Sequence, residues 1–149
     1  MTVTLLVADP RWRRVRGLNG RLKKAAKLAL ERGGCSHGTF TLLLADDAKL
    51  QSLNMTFRAK DKPTNVLSFP ADREGYLGDV AMAYGVTRKE AREQKKSFSD
   101  HATHLTVHGV LHLLGYDHET AKAAKIMEPL EVEILSELGI GDPYARKAA

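Results

Sequence analysis

The chain is expected to fold as α+β, a mixed sheet of about four strands packed by about five helices. Three observations predict this. Short β-branched runs alternate with stretches whose apolar residues fall three and four apart. Their order reads β-α-β-α-β-β-α-α-α. The 149 residues, 43% hydrophobic and 28% charged, are enough for one core and call for no second one, so residues 1–149 read as a single domain.

Each element follows from its residues. TVTLLV (Thr2–Val7) has the β-branched content of a strand and ends at Asp9-Pro10. From Trp12 the apolar positions Val15, Leu18, Leu22, Ala25 and Ala29 predict one helix stopped by Gly33-Gly34, weakened in its first half by Gly17 and Gly20. TFTLLLA (Thr39–Ala45) reads as a buried strand. Asp46 or Asp47 then caps a helix with Leu50, Leu53 and Phe57 on one stripe. A polar turn at Pro63 leads to a short strand over 65–69, a loop to Gly75, and a strand over 77–84. Thr87 and Glu90 have capping-box spacing for a helix over 87–98. Asp100 caps the next helix, which ends at Gly115. The last runs over 119–138 with Ile126, Leu130 and Ile134 on its stripe, Gly139 as its stop, and a kink or break expected at Pro129.

No apolar run is long enough for a membrane span, and the N-terminal apolar run precedes its basic cluster, the reverse of a secretory signal. A single cysteine, Cys35, excludes an internal disulfide framework and suits a reducing compartment. The net charge of +5 is concentrated: residues 11–32 hold nine Lys or Arg against the single acid Glu31. That is either the solvated face of a helix or a surface for a polyanion, of which phosphate backbones are the commonest.

The chemistry gathers in HGVLHLLGYDH, residues 108–118. Four residues on a helix turn about 400°, so His108 and His112 lie one above the other and can close on one ion. Gly115 can take the left-handed conformation that ends the helix and lets the chain return His118 as a third ligand. Three imidazoles with one open position is the arrangement of a catalytic zinc, although imidazole also suits nickel, copper and iron. The pattern matches the protease signature HExxHxxGxxH except at Gly109, where the protease carries its general base. That difference argues against peptide hydrolysis. Phosphodiester cleavage needs positive charge near the phosphoryl oxygens, and Arg58, Lys60 and Lys62 offer a cationic loop, unless that loop is merely solvated. His101 and His104 share the helix face as outer-shell orienters or as packing and capping residues, and Asp117 is a ligand's partner or a turn residue.

HGVLHLLGYDH, NMTFRAKDKPTNVLSFP, the LGDVAMA strand and the C-terminal GDPY together resemble the bacterial YbeY endoribonuclease family. The resemblance runs from Leu50 to Tyr144 and more loosely before it. It implies one zinc ion on His108, His112 and His118, a catalytic role for Arg58, and single-strand-specific endoribonuclease activity. It further implies 16S rRNA 3′-end maturation and ribosome quality control in the cytoplasm, with single-stranded RNA, rRNA and ribosomal particles as partners and no membrane. Lys60 and Lys62 are the candidate substrate-binding residues beside Arg58. Two other readings stand: a zinc-stabilised rRNA-binding assembly factor without catalysis, and a metal-dependent hydrolase of another bond.

Overall fold

A computed structural model describes residues 1–145. The β-branched and leucine-rich runs form strands β1 (Thr2–Val7), β2 (Thr39–Ala45), β3 (Val66–Arg73) and β4 (Tyr76–Ala83). The helices are α1 (Leu18–Arg32), α2 (Asp47–Arg58), α3 (Tyr84–Glu93), α4 (Phe98–Leu113) and α5 (Ala121–Glu137). The sheet has the order β1-β2-β4-β3, with β3 antiparallel to β4 and the other neighbours parallel. The mixed four-strand sheet and five α-helices are those the sequence predicts.

Its main core lies on one face, where Phe40, Leu42, Leu44, Val80 and Met82 meet the buried stripes of α1, α4 and α5. On the other face α2 sets Leu50 against Ala45, Leu67, Ala81 and Ala83.

Several boundaries differ from the sequence reading for local reasons. The first helix is split: Pro10–Arg14 is a short 3-10 helix whose cap is Asp9, and α1 starts only after Gly17 resets the chain at φ 75°. Trp12 is fully buried and its Nε1 donates to the Ala45 carbonyl at 2.9 Å. Instead of a loop to Gly75, β3 continues to Arg73 and forms a hairpin with β4 through Gly75 at φ 80°. Pro70 is tolerated there because β3 is an edge strand. Helix α3 follows β4 directly at Tyr84, so Thr87 is not a cap; its hydroxyl donates to the Ala83 carbonyl one turn back. Ser97, not Asp100, caps α4 by accepting from the Asp100 amide. Helix α5 begins at Ala121 behind its cap Thr120 and runs through Pro129 without a break.

Helix α4 crosses the sheet closely because of Gly109. A Cβ there would stand 2.8 Å from Val80 Cγ1 and 3.0 Å from Val66 Cγ2, and Ser68 Oγ donates to the Gly109 carbonyl at 2.6 Å. Neither valine can swing away, being β-branched. Gly109→Ala is therefore expected to lower the melting temperature by several degrees in a circular-dichroism melt. Overpacking costs about 1–3 kcal/mol, which outweighs the ~1 kcal/mol of helix propensity that alanine returns.

Candidate metal centre and its cleft

His108 and His112 project from one side of α4, one turn apart, and the helix ends where the sequence places its stop. Gly115 sits at φ 101°; its amide donates to the His112 carbonyl and the Tyr116 amide to the Leu111 carbonyl, each at 3.0 Å. These two bonds close the helix in a Schellman arrangement. Asp117 accepts from the Glu119 amide at 3.1 Å, as a turn residue does, where the chain folds back and returns His118 to its neighbours. The rings of His108, His112 and His118 stand 4.6 to 5.2 Å apart between centroids. One nitrogen from each lies within 4.8 Å of the other two.

Behind this trio lies a residue the sequence reading missed. Glu131 of α5 is fully buried, and three donors hold it: His108 Nδ1 at 2.9 Å, His104 Nε2 at 3.0 Å and the Tyr144 hydroxyl at 2.8 Å. Burial opposes ionisation of this carboxyl, but the hydrogen bonds from His104 and His108 outweigh it and hold the pKa at about 2. With Nδ1 of His108 committed to Glu131, Nε2 is the nitrogen left to bind a metal ion, the geometry by which buried carboxylates orient metal-binding imidazoles. Burial, followed by the neighbouring His108 and His118, pulls His112 down to about 4, so its ring is neutral and its lone pair available at neutral pH. His104, His108 and Glu131 also form a compact group, but the hydrogen bonds among them already account for its geometry. The donor set of the His108, His112 and His118 trio, all nitrogen and open on one side, fits a zinc ion with a free position.

The open side faces a cleft of about 660 Å³. Arg58, the last residue of α2, lines it together with the three histidines, Ser68, Glu128 and Tyr144. Ala59 behind it takes the left-handed conformation at φ 55°, and the buried Asn54 donates to the Lys62 carbonyl at 3.0 Å, so the segment after Arg58 is tied to α2. Lys60 and Lys62 are exposed and do not line the cleft. At the other end, His101 donates to Glu90 at 2.9 Å, and Asn65 steadies the same carboxylate at 3.1 Å. Glu90, read from sequence as a capping residue, thus lies in the cleft wall, and His101 and His104 each orient a carboxylate rather than cap a helix.

Comparison with known proteins places these residues in a family. The family described as "Endoribonuclease YbeY" matches residues 14–139, which takes in α1, Arg58, the three histidines and Glu131. A protein of that description from Chelativorans sp. is 46% identical, over 97% of this chain and 93% of its own length. Another from Bradyrhizobium diazoefficiens is 45% identical, over 97% of this chain and 85% of its own. In fold, the chain is similar to the solution structure of TM1509 from Thermotoga maritima, with a TM-score of 0.56, 24% identity and 97% and 99% of the two chains covered. From the match over residues 14–139 and the identities over nearly its whole length, the chain belongs to the endoribonuclease YbeY family.

Proposed function

We propose that this protein is a zinc-dependent, single-strand-specific endoribonuclease of the cytoplasm that acts in 16S rRNA 3′-end maturation and ribosome quality control. The observation that carries the reading is the trio of His108, His112 and His118, open to a cleft that Arg58 also lines. Family membership supports RNA as the substrate.

A bound zinc ion supplies Lewis acidity and lowers the pKa of water from about 15.7 towards ~7. The chain's own residues do the rest. Glu131 fixes the ring of His108, and the low pKa of His112 keeps that ligand unprotonated. Arg58 balances the negative charge that builds on the phosphoryl oxygens. Lys60 and Lys62 attract the strand from outside the cleft. The packing at Gly109 leaves no room for a glutamate where the similar protease signature has its base, which supports a phosphodiester rather than a peptide substrate. RNA brings its own nucleophile, the 2′-hydroxyl.

The test compares wild type and Arg58→Glu on defined single-stranded rRNA fragments, with metal content measured on both. Arg58→Glu is expected to keep its zinc and lose cleavage by about 10²-fold or more, as removal of a charge-stabilising group does elsewhere. Cleavage at the wild-type rate would remove Arg58 from the mechanism. An assembly factor in which zinc merely stabilises the fold predicts that His118→Ala lowers the melting temperature in step with function. Catalysis predicts loss of cleavage in a still-folded protein.

A further inference from the structure

The basic block at residues 11–32 divides cleanly in the fold. Three of its nine cations are used within the molecule: Arg11 pairs with Asp9, Arg21 with Asp100 and Arg32 with Glu137, each at 2.6 Å. The other six, Arg13, Arg14, Arg16, Lys23, Lys24 and Lys27, are all exposed, and none makes an ion pair among the described residues. Lys23, Lys24 and Lys27 line one shallow groove of about 490 Å³ beside the start of β1. The three arginines stand before the N-terminus of α1, which has no side-chain cap and no acid in its first turn. From Leu18 to Lys27 the helix rises ~14 Å, so the arginines and the lysine groove succeed one another along the axis of α1.

This arrangement works against the isolated fold. Lys23 and Lys27 repel at i,i+4, and arginines crowd the positive end of the helix dipole. A bound polyanion relieves both. Although α1 packs on α4, none of the six residues lines the catalytic cleft. A membrane surface fits poorly, because such a helix needs an exposed apolar face; that of α1 (Leu18, Leu22, Ala25, Ala29) is sealed in the core.

We propose that α1 and the preceding 3-10 helix form a second RNA-binding surface, which grips the phosphate backbone of structured RNA flanking the strand in the cleft. The proposal rests on the reading of the protein as one that acts on RNA.

The experiment titrates the zinc-loaded full chain with a labelled RNA hairpin carrying a single-stranded tail, over a range of salt. It compares wild type with K23E/K24E/K27E and the neutral K23Q/K24Q/K27Q, both checked by thermal melts. The charge-reversed protein is expected to bind at least tenfold more weakly. In the neutral variant the slope of log K against log salt is expected to fall by about 0.7 to 0.9 for each lysine that touches a phosphate. Cleavage of a short single-stranded oligonucleotide is expected to be unchanged. Equal hairpin affinity and slope in wild type and both variants would overturn the proposal, as would equal loss of cleavage on hairpin and short oligonucleotide. Loss of binding to anionic lipid vesicles with RNA binding intact would overturn it in favour of a membrane. If hairpin binding weakens as expected but wild type cleaves no RNA, the nuclease reading fails and the surface stands.

Discussion

Replacing His112 with alanine is expected to abolish zinc retention and RNA cleavage together while leaving the chain folded. His112 is the middle one of the three candidate ligands, and without it His108 and His118 would offer two corners of a tetrahedron that needs three. The loss should exceed the roughly 10–100-fold that outer-shell substitutions cost. Removing a half-buried polar ring opens little core volume, since Val110, Leu111 and Leu113 beside it keep their own packing. Metal content by elemental analysis, cleavage of a single-stranded rRNA fragment and a thermal melt on the same sample make the check. Wild type treated with a chelator should match the variant. Cleavage that survives both treatments would exclude the zinc-dependent mechanism. Acid should mimic the substitution: protonated imidazoles do not bind metal, so zinc is released as pH falls. The apo fold also weakens. The His112 pKa is depressed below that of the unfolded chain, so stability is present above about 6.5 and is lost as pH falls towards 4, the unfolded state binding the extra proton.

Glu131→Ala is expected to produce the largest change in stability. The carboxylate is fully buried with three donors aimed at it, and its removal leaves His104, His108 and Tyr144 without their acceptor. Breaking a buried pair from one side costs about 3–5 kcal/mol, a large share of the 5–15 kcal/mol that holds a domain together. Glu131→Gln separates the two roles of the residue. It keeps the shape and one acceptor oxygen, so it should melt above Glu131→Ala yet still bind zinc about 10–100-fold more weakly, because the imidazole it orients loses a charged partner. Chelator competition measures that affinity without recourse to activity. An unchanged zinc affinity in Glu131→Gln would show that the ring of His108 is positioned by other contacts.

The two halves of this centre differ in how far they could be read from the chain. His108, His112, Gly115 and His118 are close in sequence, and helix periodicity with a glycine stop suffices to bring them together. Arg58 follows from its motif. Glu131 is invisible to such reasoning because it acts across 23 residues on His108 and interrupts the apolar pattern that marks a buried stripe. Reading that pattern from the hydrophobic letters alone gives Ile126, Leu130 and Ile134, whereas the helix buries Met127, Glu131, Ile134 and Leu135 and leaves Ile126 57% exposed. The sequence signal was an acid at the i+4 place of a stripe running Met127, Glu131, Ile134, Leu135. Gly109 was legible as a missing base but not as a packing requirement, since the valines it meets come from β3 and β4. The strand over 65–69 continues to Arg73 past Pro70, which only the sheet order shows to lie on an edge strand.

The order in which this centre is made follows from the position of Glu131. During synthesis all three histidines leave the ribosome before the carboxylate that sets the ring of His108, and Tyr144 follows later still. A domain folds as a unit, and α5 supplies Met127, Ile134 and Leu135 to the core that α1 and α4 share, so the packing of that core and the placing of Glu131 behind His108 are one event. The candidate metal centre is therefore completed only when α5 docks.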